Sequence, residues 1–159
     1  MSGHGSPTAH ISVDATGLNI VVVAGQWHEV ISEAMVASAT RTLEAAGATY
    51  SVVRVAGSFE LPVVSKVVLE NGADAVVALG VIIRGGTPHF EFVSDAATQG
   101  LLRVALDTGK PVGFGVLTLD DEQQGLDRAG LPGSKEDKGE EAAVAAIQAA
   151  LTIRDIKKA

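Results

Sequence analysis

A histidine placed just after a glycine turn, at the end of an apolar run, is a combination that can hold an anion and move a proton. Leu79 to Ile83 form such a run, followed by Arg84, Gly85, Gly86, Thr87, Pro88, His89 and Phe90. Glycines allow close backbone approaches that a Cβ would block, and the amides of a helix start attract negative charge. His89 can exist neutral or charged near pH 7, which suits proton transfer. Two other loops carry unusual residues: Gly25, Gln26, Trp27, His28 and Glu29, and then Ala56, Gly57, Ser58, Phe59, Glu60, Leu61 and Pro62. If all three loops meet, two rings, a carboxylate, a hydroxyl and two histidines converge, a lining suited to a flat heterocycle. Each residue also has a plainer use. An isolated tryptophan is more often a core plug, Glu60 is as well placed to cap the next helix as to recognise a ligand, and His28 has no assigned role.

The loops need elements to position them. Residues 18–24, 49–55, 73–83 and 111–118 are rich in β-branched residues and nearly continuous in apolarity, as strands covered on both faces would be. Between them run helical patterns. Ile31, Ala34, Met35, Ser38, Thr42 and Leu43 mark one face, and Phe90, Val93, Ala97, Leu101 and Val104 another. Residues 61–71 supply a further helix, with Pro62 in its first turn and Gly72 at its end. Asp120, Asp121 and Glu122 start a helix predicted to reach about Ala129, and a loop over 130–134 precedes a last helix from about Lys138 to Ile156. The alternation predicts an α/β fold: one three-layer, doubly wound, flavodoxin-like domain with four parallel strands and helices on both faces. In such sheets ligands bind beyond the carboxyl ends of the strands, where the three loops lie. Residues 10–16 offer one short extra strand at an edge.

At 159 residues the chain has the size of one domain, read as a flexible N-terminal arm over 1–15 and a folded domain over 16–159. A net charge of −7 disfavours nonspecific attraction to nucleic acid or an anionic membrane, so an anionic ligand must be met by a local cluster of donors. With no cysteine, a disulfide framework, a thiolate metal site and a cysteine nucleophile are excluded. No apolar run has transmembrane length and the first residues lack a secretory pattern, so cytoplasm is the expected location. Dinucleotide, phosphate-loop and nucleophile-elbow motifs are missing, and no histidine and carboxylate spacing commits to a metal.

From about Leu18 onward the chain resembles the 6,7-dimethyl-8-ribityllumazine synthase family of riboflavin synthesis. The resemblance rests on residues 57–62, on residues 78–90, and on residues 126–130 followed by Asp137, Lys138 and Gly139. It implies condensation of 5-amino-6-(D-ribitylamino)uracil with 3,4-dihydroxy-2-butanone 4-phosphate, releasing phosphate and water, a transferase reaction needing neither metal nor redox cofactor. It also implies roles. Trp27 and Phe59 contact the pyrimidine, Ser58 and Glu60 its polar edge or ribityl chain, and Val81, Ile82 and Ile83 line the pocket. Gly86 and Thr87 hold the phosphate and His89 exchanges the proton. Phe114, Arg128 and Lys138 complete the site from the adjacent subunit of a pentamer. Relatives often carry a polar side chain where Gly86 stands and phenylalanine where Trp27 stands. Some members close pentamers into shells, but residues 128–139 look longer than the loop of those members, so free pentamers are expected. Two rivals remain: a riboflavin synthase of the archaeal type, and a non-catalytic lumazine or flavin binder on the same fold.

Overall fold

Strand-forming and amphipathic stretches alternate along the chain, and the computed structural model, which describes residues 13–159, shows what that alternation builds. In chain order it forms β1 (Asn19–Gly25), α1 (Glu29–Ala45), β2 (Thr49–Val55), a 3-10 turn (Ser58–Glu60), α2 (Leu61–Glu70), β3 (Ala75–Ile83) and α3 (His89–Thr108). β4 (Val112–Leu119), α4 (Glu122–Leu126) and α5 (Lys138–Lys158) complete it. The strands make one four-stranded parallel sheet in the order β2-β1-β3-β4. Parallel neighbours cannot be joined by tight hairpins, so a helix crosses over between each successive pair.

Side chains alternate across a strand, and β1 uses both faces: Ile20 and Val22 enter one core, Val21 and Val23 the other. On the first face α1 and α5 bring Ile31, Met35, Leu43 and Ile147 against Val77 and Leu79. On the second, α2 and α3 bring Leu61, Leu69, Leu101 and Val104 against Val76 and Ala78. This is the doubly wound, flavodoxin-like arrangement expected from the sequence. Ile20, Leu79 and Leu101 are essentially inaccessible, and cutting such a residue back to alanine costs about 2–5 kcal/mol. α5 crosses β4 closely: a Cβ on Gly113 would run into the backbone carbonyl of Ala142. The acidic helix starts are real caps. Asp121 Oδ1 accepts from the Gln124 N–H at 2.9 Å, and Asp137 Oδ1 from the Glu140 N–H at 3.0 Å.

Some expectations are corrected. β2 is not covered on both faces. It is an edge strand whose Tyr50 and Val52 remain accessible, because the sheet ends there. α4 stops at Leu126 rather than near Ala129, since Ala129 instead pairs with Asp137 in an isolated antiparallel bridge. The first three residues of the extra strand lie outside those described, and its described part, 13–16, is not a strand. The expected arm likewise lies largely outside the described residues. Its last residues are packed, however, with Ala15 fully buried and its N–H donating to the Ala46 carbonyl at 2.8 Å. No helix among the described residues is long and apolar enough to cross a membrane.

Candidate active site

From β1 the chain crosses to β2 on one side and then to β3 on the other, so the strand order reverses between β1 and β3. At the carboxyl end of that switch point, where diverging loops leave a gap, lies a crevice of about 710 Å³. Trp27 and His28 line it from the loop after β1, and residues 56–60 from the loop after β2. Val81, Ile82, Ile83, Gly85 and Thr87 form its floor and one end, and His89, Phe90, Phe92 and Val93 of α3 close that side.

The first loop is stapled by Ser32, whose Oγ donates to the Gly25 carbonyl at 2.6 Å while its N–H donates to the His28 carbonyl at 2.9 Å. His28, at the N-cap of α1, turns through the left-handed region, with φ 58° and ψ 62°. Among the described residues it is the one non-glycine residue with positive φ. Such backbone strain costs on the order of 1–3 kcal/mol and is usually found at functional sites. Trp27 stands beside it, the ring centroids 6.5 Å apart and the planes tilted by 50°. Trp27 is 68% and Phe59 62% exposed, so neither ring plugs the core. Both present apolar faces to whatever enters the crevice.

The second loop is shaped from below and from within. Ser58 is only 7% exposed, and its hydroxyl lies over Gly80, where an added Cβ would stand 2.5 Å from Ser58 Oγ. The Glu60 carboxylate folds back to accept the Gly57 N–H at 2.9 Å. It therefore tightens the 3-10 turn and lines the crevice at once, and makes no capping bond to α2.

At the third loop α3 begins at His89, with Pro88 in the cap position and no side-chain cap. Its first turn carries the acidic Glu91, whose N–H donates to the Pro88 carbonyl at 3.2 Å, and its positive dipole end lies beside the Gly85 to Thr87 turn. Among the described residues no group of three or more His, Asp or Glu side chains is arranged to hold a metal ion.

Nine of the residues singled out from the sequence thus meet in one crevice: Trp27, Ser58, Phe59, Glu60, Val81, Ile82, Ile83, Thr87 and His89. Gly86 is not part of the lining, although its neighbours Gly85 and Thr87 are. Phe114, Arg128 and Lys138 lie outside it. Phe114 sits 48% exposed on the edge strand β4. Arg128 Nη1 donates to the Gln124 carbonyl at 2.9 Å, and its Nε stands 3.8 Å from Glu136 Oε2. Lys138 Nζ lies 3.0 Å from Glu136 Oε2 and 2.7 Å from Glu141 Oε2. Burial would lower the Lys138 pKa, but the hydrogen bonds to Glu141 and Glu136 outweigh it and hold the ammonium above the usual lysine range. Phe90, Phe92 and Val93 also line the crevice; the helical pattern places Phe90 and Val93 in the core, and nothing local marks Phe92 as a wall of the crevice.

A model of the family described as 6,7-dimethyl-8-ribityllumazine synthase matches residues 17–154. A protein of that name from Leifsonia xyli subsp. xyli is 70% identical over 157 residues, covering 99% of each chain. The namesake from Clavibacter sepedonicus is 66% identical over the full length of both, and that of Streptomyces avermitilis is 54% identical over 99% of this chain and 98% of its own. A doubly wound domain with its crevice at the switch point, matched along nearly all its length, belongs to the 6,7-dimethyl-8-ribityllumazine synthase family.

Proposed function

We infer that the crevice is where this chain condenses 5-amino-6-(D-ribitylamino)uracil with 3,4-dihydroxy-2-butanone 4-phosphate to 6,7-dimethyl-8-ribityllumazine. The reaction is a transferase step of riboflavin biosynthesis, supported by the family and by relatives of that name. The observation that carries the site is the meeting of Trp27 and Phe59 with Thr87 and His89 in one cavity. Two accessible rings suit the planar uracil, and an uncapped helix start beside a glycine turn suits the phosphate.

In the assigned roles, Trp27 and Phe59 flank the pyrimidine while Ser58, Glu60 and the end of β3 (Val81, Ile82, Ile83) face its polar edge and ribityl chain. Thr87, with backbone amides around Gly86, holds the phosphate. The 5-amino group attacks the ketone carbonyl and water leaves to give an imine. Loss of a proton from carbon expels phosphate, the resulting enol becomes a ketone, and the ribitylamino nitrogen closes the ring with loss of further water. His89 is placed to carry protons for these steps. The enzyme's contribution is orientation of two substrates plus proton transfer, effects worth up to about 7–11 kcal/mol and about 10²–10⁴-fold respectively.

We assign the activity to the folded body, residues 16–159, acting in the cytoplasm as a free pentamer with sites shared between subunits. Exposed Phe92, Leu102 and Leu106 along one side of α3, with Phe114 on the neighbouring edge strand, support burial against another copy. In that assembly Phe114, Arg128 and Lys138 reach the crevice of the adjacent chain. The Arg128 fork suits a phosphate that competes with Glu136 for it. The test mixes the protein with both substrates and follows lumazine absorbance and inorganic phosphate against a control without enzyme. Matched acceleration of both signals is expected. Binding of lumazine without acceleration would overturn the catalytic reading in favour of storage.

A further inference from the structure

Thr87 lies in, and His89 just after, a loop that has little packing of its own. A Cβ on Gly85 or Gly86 would meet nothing within 4 Å, so the loop's position must come from its two ends. Arg84, the residue before the glycines, is fastened on several sides. Its backbone N–H donates to the Leu119 carbonyl at 2.8 Å and its Nε to Asp120 Oδ1 at 3.1 Å. Nη1 donates to the Glu91 carboxylate, and the guanidinium carbon lies 4.1 Å from the centroid of the Phe90 ring. Phe90 and Glu91 directly follow His89. One planar side chain therefore bridges residue 84 to residues 90 and 91, with Thr87 and His89 in the closed span, and anchors that span to the end of β4.

We propose that Arg84 is a positioning residue of the reaction: its bridge from the end of β4 to the first turn of α3 holds Thr87 and His89 at the phosphate end of the crevice. The proposal rests on the phosphate and proton roles inferred above for Thr87 and His89. The three charged side chains are open to solvent, Arg84 45%, Glu91 54% and Asp120 69% exposed. Ion pairs so exposed add little to folding stability, so the bridge is felt in the loop rather than in the melting temperature. The hydrogen bond from Arg84 keeps the Glu91 carboxyl below its ordinary pKa, hence charged wherever the enzyme works. Lysine cannot replace the bridge, because a point charge on a flexible stem lacks the fork that reaches two carboxylates and stacks on a ring.

The experiment measures the KM for each substrate separately in Arg84→Gln, Glu91→Gln, the double variant and Arg84→Lys, with melting temperatures and with Thr87→Ala as a check on the loop's role. Arg84→Gln and Glu91→Gln are each expected to raise the KM for the butanone phosphate on the order of five- to tenfold. That is below the roughly 100-fold effect of a full 1 Å misplacement. The uracil KM should change less than about twofold, as neither residue lines the crevice. The double variant should be no worse than Arg84→Gln alone, because both changes open the same bridge. An unaffected Glu91→Gln, multiplying effects, or full rescue by Arg84→Lys would show that Arg84 acts only as a charge, and would overturn the bridge. If Thr87→Ala leaves the butanone phosphate KM unchanged, the phosphate assignment of the loop fails instead. If Thr87→Ala raises it and Arg84→Gln does not, only the bridge fails.

Discussion

Replacing Gly80 by alanine should damage the uracil side of the crevice from beneath. Gly80 lies in β3 opposite Val116 of β4, with Ser58 and Leu61 above it. The new Cβ would stand 2.5 Å from Ser58 Oγ, 3.0 Å from Leu61 Cδ1 and 3.3 Å from Ser58 Cβ. Comfortable contacts between such atoms need about 3.5 Å, so the turn Ser58–Glu60 must rise by roughly 1 Å. Overpacking of this kind costs about 1–3 kcal/mol, which for a domain of this size lowers the melting temperature by roughly 2–12 °C. The same displacement moves Phe59 and Glu60, and a shift near 1 Å can cost up to about 100-fold in kcat/KM. Scanning calorimetry and steady-state kinetics with each substrate varied read the two effects. Adding Ser58→Ala removes the nearest atom, so the double variant should melt higher than Gly80→Ala alone. A Gly80→Ala protein with unchanged melting temperature and kcat/KM, or one that Ser58→Ala does not relieve, would refute the argument.

Trp27→Ala should leave melting within about 0.5 kcal/mol, because the ring is largely exposed, yet raise the uracil KM about tenfold through lost stacking. Trp27→Phe should retain most of the affinity; titration calorimetry with the uracil checks both. His89→Ala should lower kcat by about 10²–10⁴-fold while sparing uracil binding, whereas Arg128→Ala should act mainly on the KM for the butanone phosphate; wild-type kinetics in both would remove the assigned roles. Sedimentation should find five chains of 16.2 kDa together, and a particle of roughly a megadalton would replace the free pentamer by a shell.

The strands, the crossover helices and the α/β class were legible because each is a local pattern: β-branched runs, 3.6-residue periodicity, the acidic start at Asp121, and Pro62 in a first turn. The edge position of β2 was not: Ser51 and Arg54 interrupt the run Thr49–Val55, but its β-branched residues fit any place in the sheet. The end of α4 was missed because the Ala129 to Asp137 bridge joins residues too far apart for any helical window.

The sequence by itself singled out Trp27, Phe59, Thr87 and His89 as candidates for chemistry, because residue type and turn context are written locally. Only the tertiary structure decided that β1 and β3 lie side by side with the switch point between them, that Ser58 rests on Gly80, that Glu60 folds onto Gly57 and that Arg84 spans the loop around His89. These depend on strand order and on distances between chain segments, which residue spacing along the sequence does not encode.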